Sequence, residues 1–250
     1  EFMNITKLTF AALTAGLFAA PAYSASITPD IIFGSGNVNR GFTVATSGDL
    51  ELGLRAKRRY TSPNDQIGVG IVQDGAGNYL FDSTGQTVPA GRSLWSFDWS
   101  INSDVADGSD TLDTYTYQIA VDYDGSAAEN MQTYDPLGAF ENSYVGTNLT
   151  GNGGAGSEAP GIVHSVLGNF STNNVAQNSV NLGFLAGSPE LGAGQFRVSL
   201  TAFLSGTEVA STDINVFVDT TPPAIPLPAG GVLLVTALGG LALKRRRKTA

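Results

Sequence analysis

Cysteine is absent, histidine occurs once, and basic residues are scarce away from the two ends of the chain. Each shortage excludes some chemistry. Without cysteine there is no disulfide, no thiol nucleophile and no thiolate metal site, so the fold must stand on its core alone. The one histidine, His164, lies in the stretch Gly161-Ile162-Val163-His164-Ser165, and any Ser-His-Asp triad would have to use it. No G-x-S-x-G elbow occurs and nothing around Ser165 marks an activated serine, so His164 reads as a structural or surface side chain. Zinc is not expected, because its sites are built from clusters of His or Cys. Between Ala25 and Ile225 the only basic residues are Arg40, Arg55, Lys57, Arg58, Arg59, Arg92 and Arg197, seven against 21 acidic ones, a balance of −14. Nucleic acid and anionic lipid are bound through dense Lys and Arg, so a body this acidic repels both, and no nucleic-acid partner is expected.

Long apolar runs are also missing, except near the termini. Glu1 and Phe2 precede the first methionine and read as a cloning scar. From Met3 the chain has Lys7, an apolar stretch from Leu8 to Ala20, then Pro21 and the small-residue patch Ala22-Tyr23-Ser24-Ala25. A basic start, a short apolar core and such a site make a secretory signal peptide over residues 3–24, with cleavage after Ser24 or Ala25. The apolar stretch is too short to span a bilayer.

The body alternates instead. Leu50, Leu52, Leu54 and Ala56 share a face, with Glu51, Arg55 and Lys57 opposite. The same period of two links Trp95, Phe97, Trp99 and Ile101. It also links Tyr115 to Tyr123, Phe196 to Leu204, and Ile214 to Val218. Successive side chains of a strand point to opposite faces, so each segment reads as a strand with one buried face. Residues 66–72 and 178–185 are expected to add further strands. Turn residues such as Asp74-Gly75, Asp107-Gly108, Asp124-Gly125 and Ser205-Gly206 separate them. The pattern predicts one all-β domain over residues 25–221, an antiparallel, jelly-roll-like β-sandwich, with a flattened barrel as the alternative. Residues Gly125 to Gly161 read as a long loop, with a turn of helix over Ala127 to Met131. A signal helix before the domain and an apolar helix after it complete the expected architecture.

Candidate chemistry is sparse. Asp104, Asp107, Asp110 and Asp113 fall within ten residues and could supply hard oxygen ligands to calcium, the one cofactor the sequence suggests. The order of an EF-hand loop is missing, and a solvated turn explains the same residues. Asp98, Asp122 and Asp124 stand beside aromatic residues, as carboxylates do in sugar-cleaving sites and in any acidic β-protein. Arg55, Lys57 and Arg59 share a strand face that either binds an anionic polymer or pairs with the acidic body. Trp95 and Trp99 either stack on sugar rings or belong to the core.

The C-terminal segment, residues 222–250, is the most distinctive. Ile225-Pro226-Leu227-Pro228-Ala229 precedes an apolar run from Ala229 to Leu243, and Lys244, Arg245, Arg246, Arg247 and Lys248 follow at once. As a helix the run reaches about 22 Å, short of a hydrocarbon core of roughly 30 Å. The basic cluster would act as a stop-transfer signal held on the cytoplasmic side. A proline signature, a marginal apolar helix and a basic end together resemble the PEP-CTERM class of exosortase sorting signals. The match is to the VPLPA variant, with Pro226, Leu227, Pro228 and Ala229 as its motif and Ile225 in place of valine. The resemblance covers about a tenth of the chain. It implies a Gram-negative protein passed transiently through the inner membrane to an exosortase-type membrane protease. It further implies cutting near the motif, then release or attachment at the cell surface, in association with exopolysaccharide or biofilm matrix. The expected function is that of a non-enzymatic surface or matrix protein. A carbohydrate-binding module or polysaccharide-active enzyme is the alternative, to be recognised by an exposed aromatic platform or by two carboxylates facing across a cleft.

Overall fold

Alternating strands of this kind can hide their apolar faces only by stacking sheet on sheet. The structure is a computed structural model, and it describes residues 27, 40–59, 73–74, 76–126, 128–140, 143–150, 157–159, 170–185 and 192–222. Residues 3–24, 66–72, His164 and the segment from residue 223 onward lie outside the described residues, and with them both expected terminal helices. Among the described residues no helix is long and apolar enough to cross a membrane.

Eleven strands are described: β1 (Thr43–Ser47), β2 (Leu50–Arg58), β3 (Asn78–Phe81), β4 (Trp95–Asn102), β5 (Thr116–Asp122), β6 (Met131–Tyr134), β7 (Ser143–Gly146), β8 (Ser157–Ala159), β9 (Val175–Asn181), β10 (Gly194–Leu204) and β11 (Thr207–Val218). One sheet has the order β1-β2-β4-β9-β7-β8 and the other β3-β11-β10-β5-β6. The chain is therefore an all-β sandwich. Every pairing is antiparallel except β3 with β11, where Asn78 to Phe81 run parallel to Asn215 to Val218.

The core is the predicted one except at Leu204, the last residue of β10, which is exposed. Leu50, Leu52, Leu54, Trp95, Phe97, Trp99 and Ile101 meet Ile119, Val121, Phe196, Val198, Leu200, Ile214 and Val216 between the sheets. Trp95 lies 5.8 Å from Phe196, ring to ring. Phe140 closes a second aromatic group at 6.0 Å from Phe97 and 5.7 Å from Tyr134. Both tryptophans are fully buried, which makes them core and not a sugar platform. Their indole N–H groups and the Tyr117 hydroxyl have no hydrogen-bond partner among the described residues. Such groups cost about 1–3 kcal/mol each.

Two expectations are corrected. The stretch Gly125 to Gly161 is not one long loop: it holds β6, β7, β8 and a single helical turn, α1 (Pro136–Ala139). The turn starts at Pro136, behind Asp135, whose carboxylate accepts the Leu137 N–H at 3.0 Å. Of the turn expected over Ala127 to Met131, residues 128–130 are not helical and Met131 opens β6. These strands have three or four residues each, too few to show a period of two. Residues 178–185 divide as well: β9 ends at Asn181, whose side chain accepts the Gly183 N–H and turns the chain into a 3-10 turn, Leu182–Phe184.

At one end of the second sheet two backbones cross closely. A Cβ on Gly194 would lie 2.6 Å from the Gly125 carbonyl oxygen and 2.7 Å from its Cα. Backbone atoms cannot move aside as a side-chain tip can. Gly194→Ala is expected to lower stability by about 1–3 kcal/mol, read from the midpoint of urea unfolding at constant slope.

Candidate functional site

The outer face of the six-stranded sheet is polar by sequence, yet it is buried. Arg55 and Lys57 from β2, Asp98 and Ser100 from β4, and Gln177 from β9 are all at most 2% exposed. The register sets Arg55 opposite Asp98 and Asp98 opposite Ser179, which places their side chains together on this face. Arg55 Nε donates to Asp98 Oδ2 at 2.6 Å, and Lys57 Nζ lies 3.0 Å from Oδ1. The Arg55 guanidinium also donates to the Arg40 carbonyl at 2.7 Å and sits 4.2 Å above the Phe42 ring. Phe42 and Ile27 are fully buried here and form a small second core. Gly53 leaves room for them, since its Cβ would come 2.7 Å from Ile27 and 3.3 Å from Phe42. Burial opposes the charge on Asp98, but Lys57 and Arg55 outweigh it and hold the carboxyl below its ordinary range. The basic face of β2 thus pairs Arg55 and Lys57 with the acidic body, while Arg59 projects into solvent at the strand's end.

The acidic stretch after β4 is organised around one residue. Asp104 Oδ1 accepts the N–H groups of Ala106 and Asp107 at 2.9 and 3.1 Å. Its Oδ2 accepts the N–H groups of Ser109 and Asp110 and the Ser109 hydroxyl at 2.9 to 3.3 Å. Five donors on two oxygens fill the roughly four lone-pair positions of a carboxylate. Burial raises the Asp104 carboxyl, yet these N–H donors win and hold it well below the usual range. Asp107 turns back to the Ser109 N–H at 2.9 Å, and Asp113 accepts the Thr111 hydroxyl. The four aspartates are therefore not gathered on a common point. Among the described residues no group of three or more acidic or histidine side chains is placed to hold a metal ion.

Beside this loop lies a cluster that the sequence did not announce. The Asn174 side-chain amide donates to Asn102 Oδ1, Asn148 Oδ1 and the Asp104 carbonyl at 2.8 to 2.9 Å. Asn148 donates to the same carbonyl at 2.7 Å, and Asn102 to Asn148 at 2.9 Å. The clasp joins the segments after β4, after β7 and before β9. Its members are some 26 to 72 residues apart in the chain, so no local pattern marks them.

The remaining carboxylates named from the sequence divide between the sheets. Asp98 belongs to the first. Asp122, at the end of β5 in the second, accepts the N–H groups of Asp124 and Asn130 at 2.9 and 2.8 Å and so holds a turn. Phe184 is the one exposed large aromatic among the described residues, at 64%, with the Arg92 guanidinium 4.0 Å above its ring. The motif Pro226 to Ala229, the cluster Lys244 to Lys248 and His164 lie outside the described residues. The chain matches no protein-family model, no curated protein and no solved structure. Its reading therefore rests on its own residues.

Two outcomes follow from these geometries. Asp98→Ala leaves two buried cations facing each other and is expected to cost about 3–5 kcal/mol in chemical denaturation. The joint change Asp98→Leu, Arg55→Met and Lys57→Met should restore part of that loss, because no unpaired charge then remains. Asp104 stabilises the fold in full above the ordinary carboxyl pKa of about 4. That contribution is lost as pH falls through its lowered folded value. Asp104→Asn should therefore flatten the acid side of the stability–pH curve. With the Asp104 oxygens already filled, millimolar calcium is expected to leave the melting temperature unchanged.

Proposed function

We propose that the chain is an exported, non-enzymatic β-sandwich, delivered to the cell surface or extracellular matrix by an exosortase-type protease that removes its tail. The observation that supports this most directly is where the sandwich ends. β11 runs to Val218, and the next residue locks the strand's end: Asp219 accepts the Ser83 N–H at 2.8 Å and its hydroxyl at 2.5 Å, while the Asp219 N–H reaches the Phe81 carbonyl at 2.9 Å. Thr220 adds a bond to the Gly194 carbonyl at 3.1 Å. Ile225-Pro226-Leu227-Pro228-Ala229 follows within a few residues. A closed body, a short spacer, a proline motif, an apolar run and a basic end form the order a removable sorting signal needs. Cutting at the motif would leave every strand of the sandwich intact.

The body's polar clusters agree with a structural role. The Arg55–Asp98–Lys57 ion cluster and the hydrogen-bonded Asp104 loop each hold the fold together. Exopolysaccharide is the partner that the tail's resemblance suggests.

Intact-mass measurement of protein from the native cell surface is expected to lack the residues that follow the motif. A mass that still includes Ala229 to Ala250 would overturn the sorting reading. Neutralising Lys244 to Lys248 should let the tail pass through the membrane and abolish delivery to the surface.

A further inference from the structure

One hydrogen bond of the body joins two tyrosines. Tyr123 stands just past the end of β5, and its N–H still reaches the Asn130 carbonyl at 3.2 Å, so the hairpin ladder runs on to it. Tyr134 closes β6 and stands opposite Ile119. Tyr123 and Ile119 share one face of their strand by its period of two, and a cross-strand pair shares a face as well. The two tyrosines therefore approach each other along the inner face from the two ends of the hairpin, and their hydroxyls meet at 2.7 Å. That is an ordinary length for an O–H···O hydrogen bond. Both side chains are half-buried against the main core, and the Phe140 ring lies 5.7 Å from that of Tyr134.

Among the described residues no other two tyrosine hydroxyls meet. The Tyr79 hydroxyl lies on backbone carbonyls, and the Tyr117 hydroxyl has no partner there although its ring is 6.2 Å from that of Tyr115. Burial first, and then the Tyr134 hydroxyl, push the Tyr123 phenol up from its ordinary pKa. It stays protonated, so it gives up an electron only together with its proton. The neighbouring phenol oxygen is an acceptor for that proton. The place in the fold matters too. β6 has four residues and is the last strand of its sheet, beside β5. A short edge strand is among the first elements to open, and the chain has no cysteine to fasten it.

We infer that Tyr123 and Tyr134 form a site of oxidative cross-linking, at which the two rings become joined by a carbon–carbon bond when the folded chain meets a peroxide-class oxidant acting in single-electron steps. Each phenol loses one electron and its hydroxyl proton. The resulting radicals carry spin on the oxygen and on the ring carbons beside the C–O bond, and two such carbons, one from each ring, bond to each other. The hydrogen on each of these carbons then moves to the oxygen, which restores both hydroxyls. In sum the pair loses two hydrogen atoms, and their electrons and protons go to the O–O bond of the peroxide, which is reduced and broken. In the product the hydroxyls stand beside the new bond, within hydrogen-bond reach of each other. The contact seen in the structure is thus one that the product keeps, and the rings close by swinging about it. The link would fasten the edge strand to β5 and restrict the unfolded chain. Exposure to such oxidants at a cell surface rests on the sorting reading, and the reaction itself does not.

The test uses the purified full chain, oxidised with persulfate and a photoexcited ruthenium tris-bipyridine complex. The intact mass of the monomer is expected to fall by two hydrogen atoms, with the fluorescence of dityrosine. Glu129 is the only glutamate between the two rings. After cleavage there, the peptides that carry Tyr123 and Tyr134 should stay joined. Tyr123→Phe and Tyr134→Phe should each abolish the link and Tyr117→Phe should leave it unchanged, with far-UV circular dichroism checking that all three fold. In chain unfolded in urea before oxidation, the yield of this link should drop several-fold. The linked chain should unfold at a higher urea concentration than the untreated one. If a dose that couples free tyrosine leaves the mass unchanged, or couples only separate chains, the inference is wrong. It is equally wrong if the link joins Tyr115 to Tyr117, or forms as well in the unfolded chain as in the folded one. Mass and peptide mapping of the unaltered chain decide this even if a variant fails to fold. None of these outcomes depends on the tail, so the sorting reading stands or falls separately.

Discussion

The ion cluster between β2 and β4 is the constraint on which much of the rest depends. Asp98 is fully buried on the outer face of its sheet, and it can keep its charge there only because Arg55 and Lys57 reach it from the neighbouring strand. Those contacts require one register. A slip of one residue between β2 and β4 would turn the cations into the inter-sheet core and Leu54 and Ala56 out of it. The cluster adds little net stability over a well-packed apolar group, but its loss in part would be severe. It works as a register lock for the strands that carry Trp95, Phe97 and Trp99, and so for the core itself.

The two ends of the sandwich are closed by different means. At one end the amides of Asn102, Asn148 and Asn174 interlock around the Asp104 carbonyl, and the Asp104 carboxylate gathers the following backbone into a tight loop. At the other, Asp219 ties β11 to Ser83, two residues beyond β3, and Asn181 donates to the Ser93 and Trp95 carbonyls. Uncharged and charge-assisted hydrogen bonds do here what disulfides do in many exported proteins. A chain with no cysteine has to place such bonds at the points where strands would otherwise fray.

The inner faces of the long strands were legible because each shows three to five apolar residues at a strict period of two. The faces opposite were misleading. Glu51, Arg55, Lys57 and Asp98 have the composition of a solvent face, and only a tertiary covering that includes Phe42 and Ile27 buries them. That Arg55 and Lys57 would pair with acids could be anticipated. That the acid would be Asp98 could not, since the partners stand 43 residues apart and meet only through sheet register. Strands β6, β7 and β8 escaped notice because three or four residues cannot establish a period. The acidic run at Asp104 to Asp113 was visible, but a count of carboxylates does not show that backbone N–H groups occupy one of them. The asparagine clasp left no signal, because asparagine at a strand end is ordinary turn composition.

The position of β11 gives the tail a mechanical meaning. The strand is bonded to β10 on one side along its whole length and to β3 on the other near its end. A pull directed along the strand axis would load both ladders in shear, with many hydrogen bonds strained together and none peeled singly. With the Asp219 clasp across the exit, the sandwich can hold against such a load without unravelling from its last strand.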